Sequence, residues 1–148
     1  ILEVPEEGKK AMTFFNSFSR YQSHLLGILR IIAGLLFLQH GLVKLFGFPP
    51  GAQPGQQPLA GMMGAAGLIE TITGLLIVLG LFTRPAAFIA AGFCAVAYWM
   101  VHGLQSFYPI LNQGELAALY CFVFLYFVAA GPGAFSIDRA RDRTVATV

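Results

Sequence analysis

The sequence predicts an all-α integral membrane four-helix bundle, preceded by an amphipathic helix lying in the membrane interface. Three observations lead there: a composition too apolar for a water-facing surface, four apolar runs near bilayer length, and basic residues gathered at one end of those runs. Of 148 residues, 57% are hydrophobic and 11% charged, with a mean hydropathy of +0.71. A soluble domain carries about a quarter of its residues charged, so the solvent of this chain is mostly lipid. A formal charge of +2 does not mark a nucleic-acid partner. The two cysteines, Cys94 and Cys121, sit in apolar runs with no CxxC or Cys/His spacing, which supports neither a metal site nor a dithiol motif.

Crossing the hydrocarbon core takes about 20 apolar residues. The runs from Leu25 to Phe46, Met62 to Phe82, Ala86 to Phe107 and Glu115 to Ala130 are the candidates. Between the first two, the segment from Phe48 to Gly61 carries Pro49, Pro50, Pro54 and Pro58, so it cannot be continuous helix or paired strand. Thr83-Arg84-Pro85 makes a short turn into the third span, where Pro85 suits a first helical turn. The expected organisation is therefore an extension over 1–24, a four-span domain over 25–132 and a basic tail over 133–148.

An even number of spans puts both termini on one side, together with Lys9, Lys10, Arg20, Arg84, Arg139, Arg141 and Arg143, and with Arg30 just inside the first span. The opposite end carries Lys44. The positive-inside rule then places the termini in the cytoplasm and the chain in the cytoplasmic (inner) membrane. Before the first span, Phe14, Phe15, Phe18 and Tyr21 recur at helical spacing near basic residues. This reads as an interfacial helix, or alternatively as a tail ordered by a partner protein. The DRARDR run from Asp138 to Arg143 reads as a solvated tail facing lipid headgroups.

Ionisable groups inside spans are costly and need partners. Arg30, His40 and Lys44 fall on one face of the first span, spaced by multiples of a turn. Glu70 lies within the second span, Tyr98 and His102 are four apart in the third, and Asn112 and Glu115 open the fourth. At about 1.5 Å per residue, His40, Glu70 and His102 stand roughly 22, 18 and 25 Å from the cytoplasmic end. The polar groups other than Arg30 thus converge on the outer half. Plain structural roles compete: Arg30 and Lys44 can snorkel to the interfaces, and Glu115 can complement a helix N-terminus. Glu70 needs a cation or a proton, and His40 and Lys44 are the nearest candidates. Gly67 and Gly74, with Ala87, Ala91 and Ala95, mark close helix packing.

Three blocks carry a likeness to a known family: LRIIAGLLFLQHGLVKLFG over 29–47, the stretch from Ile69 to His102 with its Gly-Leu-Phe-Thr-Arg turn, and NQGELAALYCFVFLYFVAAGPGAFSID over 112–138. In this order they resemble the DoxX family of small four-helix membrane proteins. The resemblance implies a bundle associated with redox systems, some relatives being linked to thiosulfate:quinone oxidoreduction and others to thiol-stress complexes. The family's recurrent polar positions correspond to Arg30, His40, Lys44, Glu70, His102, Asn112 and Glu115.

Two readings of function follow. In the first, a redox-associated subunit binds a quinone or similar small molecule in an outer-half pocket, with His40, Lys44, Glu70, Tyr98, His102, Asn112 and Glu115 as the polar cluster and Arg30 as a structural charge. Phe37, Tyr98, Trp99 and Tyr126 would supply apolar walls, and an external partner would carry the electrons. In the second, the chain is a non-catalytic accessory subunit of a larger membrane complex. Haem ligated by His40 and His102 is disfavoured by Glu70 and Lys44 beside them, and four spans show no internal repeat of the transporter kind.

Overall fold

A computed structural model describes residues 6–145. Among them every regular element is helical. Helix α1 spans Glu6–Asn16 and passes through a 3-10 turn, Ser17–Tyr21, into α2, Gln22–Phe46. Then come α3 (Met62–Leu79), α4 (Thr83–Ala97), a π-helical turn (Tyr98–Gly103), α5 (Pro109–Asn112), α6 (Glu115–Ala130) and α7 (Ile137–Val145). The outermost parts of the expected extension and tail, and the side chains of Lys9, Lys10 and Arg143, lie outside the described residues.

Among the described residues, three stretches are long and apolar enough to cross a membrane: Met12–Phe46, Met62–Leu79 and Thr83–Gly103. The fourth apolar helix, Glu115–Ala130, has 16 residues and so rises only about 24 Å. It is bounded by Gly114 and by Gly131, whose φ of 83° favours glycine. The third span is shorter than its apolar run: the helix ends at Gly103, and Phe107 lies in a loop. Apolar residues cover the outside, among them Ile32 on α2, Phe88 on α4 and Phe122 on α6, each more than half exposed. That is the surface of a protein solvated by lipid.

The helices run up and down, with α2 packed mainly on α3 and α4 on α6, while α2 and α6 meet at few points. Small residues set the α2–α3 seam: Gly34 lies against Val78, Gly74 against Leu38, and Gly41 against Thr71 and Gly67. A Cβ on Gly41 would stand 2.6 Å from the Thr71 nitrogen and 2.8 Å from the Gly67 oxygen, so only glycine admits this approach. Ala86, Ala87, Ala90 and Ala91 let α4 close on its neighbours in the same way. At mid-height Phe37 is the hub of an aromatic core, its ring centroid 4.9 Å from Phe124 and 5.6 Å from Tyr120.

The end of the bundle nearest the termini is tied by charged side chains on backbone. Arg30 is fully buried. Its Nη1 donates to the carbonyls of Ile77 (2.5 Å) and Val78 (2.7 Å), its Nε to Pro132 (2.8 Å), and its Nη2 to Ala134 (3.2 Å) and Phe135 (2.7 Å). The last carbonyls of a helix have no partner within it, and a guanidinium fork with five N–H donors satisfies several at once. Arg84 does the same for α6, donating to Val128 and, at 2.7 Å, to Ala129. Arg30 therefore does not snorkel.

The residues after α6 are likewise tied to the bundle as far as Arg139, whereas Ala140, Arg141, Asp142 and Thr144 are exposed, as expected of a solvated tail. The Ala134 N–H donates to Ser23 and the Asp138 N–H to Gly80. The Asp138 carboxylate accepts from the N–H groups of Phe82 (2.9 Å) and Thr83 (2.8 Å), capping α4 from a distant part of the chain. Burial works against ionisation of this carboxyl. The two N–H donors, the adjacent Thr83 side chain and the Arg141 charge outweigh it and hold the Asp138 pKa below its usual value.

Candidate functional site

At the opposite end the four main helices line a cavity of about 570 Å³. That size lies within the range of about 300–1,000 Å³ typical of small-molecule sites. Its walls are mostly apolar: Phe37 from α2, Met63 and Ile69 from α3, Phe93 and Met100 from the third span, Leu116 and Tyr120 from α6. Five polar or charged side chains interrupt them: His40, Lys44, Glu70, His102 and Gln113.

The α2–α3 register positions the charged wall. With Gly41 against Thr71, the next turn of α2 brings Lys44 over Gly67 and within reach of Glu70. Lys44 Nζ lies 2.5 Å from Glu70 Oε1 and 2.6 Å from Oε2, and the two side chains are only 12% and 6% exposed. Lys44 therefore turns inward instead of snorkelling, and it is the cation that Glu70 requires. His40, one turn earlier, opens onto the cavity and packs edge-on against Tyr120 at 6.3 Å. It makes no hydrogen bond among the described residues.

The third span contributes through its π-helical turn. His102 Nδ1 is 2.8 Å from the Asn112 main-chain oxygen. Asn112 is buried; its Nδ2 donates to Ser106 O (2.8 Å) and Tyr98 Oη (3.3 Å), and its Oδ1 accepts from Gly114 N–H (2.8 Å). Asn112 and Tyr98 thus fasten the π-turn that carries His102 to the segment that follows it, and neither lines the cavity. π-Turns recur at functional sites because they re-aim side chains.

The DoxX family model matches residues 25–103. An uncharacterized protein of Haemophilus influenzae is 41% identical over 128 residues, covering 84% of this chain and 96% of that protein. Inner membrane protein YphA of Escherichia coli is 33% identical over 78% of this chain and 89% of its own length. Inner membrane protein YqjF of the same organism is 31% identical over 78% and 91%. The chain belongs to the DoxX family. No solved structure matches it significantly.

Of the polar positions named from the sequence, the fold of this DoxX protein brings His40, Lys44, Glu70 and His102 to one cavity. It places Tyr98 and Asn112 behind that wall, sets Glu115 on the exposed first turn of α6, and puts Arg30 at the other end. The expected apolar walls are partly replaced. Phe37 lines the cavity, whereas Trp99 is 61% and Tyr126 48% exposed, and Met63, Ile69, Phe93 and Tyr120 take their part. Sequence reasoning missed Gln113, which follows Asn112 at φ 58° and whose only signal was the Asn-Gln-Gly turn composition. It also missed Cys94, which joins the cavity wall from the buried face of α4.

Proposed function

We propose that this membrane protein binds a lipid-soluble small molecule of the quinone class, oxidised or reduced, in the cavity between its helices, and serves a redox system whose electrons are carried by a partner. The observation that carries the reading is the convergence of two histidines and a buried Lys44–Glu70 pair on a mostly apolar cavity. An apolar ring with polar oxygens at its ends suits such a wall: aliphatic and aromatic side chains take the ring, and a few fixed polar groups orient the oxygens. The termini lie in the cytoplasm on this reading, which puts the cavity in the outer half of the bilayer. Supporting it, basic residues cluster around α1 and α7, while Lys44 at the other end is consumed by Glu70. The exposed ring cluster of Phe14, Phe15 and Phe18 would then seat α1 in the inner interface.

The test is titration calorimetry in nanodiscs with a short-chain benzoquinone and with its quinol, each corrected for partition into empty nanodiscs. Saturable, stoichiometric binding of at least one is expected. Ala97→Phe, which fills the cavity from α4, should abolish it with helicity retained. Lack of saturable binding by both ligands, or binding unaffected by Ala97→Phe, rejects the site and leaves the accessory-subunit reading.

A further inference from the structure

We infer that the cavity selects ligands bearing a free hydroxyl, the phenol or quinol class rather than the quinone, and that His102 is the residue that discriminates; this rests on the cavity being the ligand site. The inference starts from the partner of the His102 ring. Its Nδ1 faces the Asn112 carbonyl oxygen at 2.8 Å, and a carbonyl can only accept, so the ring proton stands on Nδ1. The carbonyl is held in place, because Asn112 is 2% exposed and its side chain is bonded to Ser106, Tyr98 and Gly114. With the proton on Nδ1, the uncharged form of the ring offers Nε2 as a bare acceptor. Nε2 has no hydrogen-bond partner among the described residues, and the ring lines the cavity.

An acceptor fixed in this way meets a hydroxyl well and a carbonyl or ether oxygen badly, because two lone pairs face each other and neither is satisfied. A site built around one hydrogen bond to a ligand O–H rejects the analogue lacking it more strongly than an apolar wall rejects a change of shape. On the α2 wall of the same cavity, Lys44 directs its ammonium at both oxygens of Glu70. An ammonium has three donors, so one remains for a second ligand oxygen. The site thus offers an acceptor on the third span and a donor on α2. A hydroxyl at one end of an aromatic ring and an accepting oxygen at the other complement it, as in a quinol.

The deciding comparison is 4-methoxyphenol against 1,4-dimethoxybenzene, which share a ring and one ether and differ in the O–H. Both are titrated into the whole protein in nanodiscs and corrected for partition into empty nanodiscs. The phenol should bind about tenfold more tightly, the effect of one hydrogen bond of about 1.4 kcal/mol. His102→Phe, which keeps a ring but removes the acceptor, should narrow the difference to less than about twofold. His102→Gln, whose amide can turn either its donor or its acceptor to the ligand, should narrow it as well and serves if His102→Phe does not fold. Equal affinity of both ligands for the wild type overturns hydroxyl selection and leaves the cavity site standing. A preference that survives both substitutions removes His102 from the role. Binding of neither ligand, nor of the benzoquinone and its quinol, overturns the cavity site itself.

Discussion

Lys44 on α2 and Glu70 on α3 form an ion pair with both carboxylate oxygens within 2.6 Å of the ammonium, almost entirely shielded by protein. The pair exists because Gly41 and Gly67 let the two backbones approach one turn away. Register, ion pair and cavity wall are consequences of one seam.

Removing one partner of such a pair leaves an uncompensated charge and typically costs about 3–5 kcal/mol. Lys44→Met alone, and Glu70→Met alone, should therefore lower stability strongly, whereas Lys44→Met with Glu70→Met should recover most of the loss. Unfolding in mild detergent as a double-mutant cycle measures this. Additivity of the two single changes within about 0.3–0.5 kcal/mol would show that the pair is not coupled in the membrane protein.

Gly41→Ala should be poorly tolerated, since the added methyl overlaps Thr71 and the Gly67 carbonyl. Overpacking of this kind costs about 1–3 kcal/mol. Gly92→Ala is the control: its Cβ meets nothing within 4 Å, and alanine is the better helix former by about 1 kcal/mol. The ranking of the two melting temperatures checks the seam, and equal tolerance would mean that α2 and α3 are not in contact at Gly41.

Most of the fold was legible because its cause is local. The proline segment after Phe48 and the Gly-Leu-Phe-Thr-Arg turn mark where helices begin and end whatever they pack against, whereas apolar run length alone overshot the third span by residues 104–107. The site was half legible. Equal depth brought His40, Glu70 and His102 together, but depth leaves azimuth open, and azimuth decided that Lys44 rather than His40 meets Glu70. The residues left open or misread were those whose partners are backbone groups distant in sequence. Arg30 stood between a snorkelling cation and a structural charge because the carbonyls of Ile77 and Phe135 carry no signature in composition. Asp138 looked like part of a charged tail because the N–H groups it caps belong to a helix more than fifty residues earlier. The π-turn that aims His102 was invisible for a related reason, since Tyr98–Gly103 has ordinary helical composition.

Orientation is open to direct measurement. Single-cysteine variants on a background lacking Cys94 and Cys121 should label at Gln53 from the outside only and at Thr144 from the inside only, using a reagent that cannot cross the membrane. Labelling of Gln53 from the inside would invert the assignment and move the cavity to the inner half.

Arg30→Lys should be clearly destabilising although the charge is kept. Lysine has three donors on a flexible stem and cannot reproduce the planar fork. The structure asks for contacts to carbonyls of α3 and of the 132–135 segment together. Each buried carbonyl left unpaired costs about 1–3 kcal/mol, so Arg30→Lys should melt well below wild type and Arg30→Met lower still. A lysine variant as stable as wild type would show that only the charge matters there.

Asp138 makes the last prediction, because its environment gives it a sign. Its pKa is held below that of an unfolded aspartate, with the Phe82 and Thr83 N–H groups and Arg141 favouring the carboxylate. A group whose folded pKa is depressed adds stability that is fully present above the unfolded pKa, about 3.9, and is lost as pH falls through the folded value. The difference in melting temperature between wild type and Asp138→Ala should therefore be constant near neutrality and shrink on acidification below about pH 4. Its size near neutrality should match the loss of a helix cap, about 0.5–2 kcal/mol. Asp138→Asn, which retains one accepting oxygen but no charge, should fall between the two and show much less of the acid dependence. A wild-type and Asp138→Ala difference that persists unchanged through the acid range would mean that packing, rather than the ionised cap on α4, holds the chain beyond α6 against the bundle.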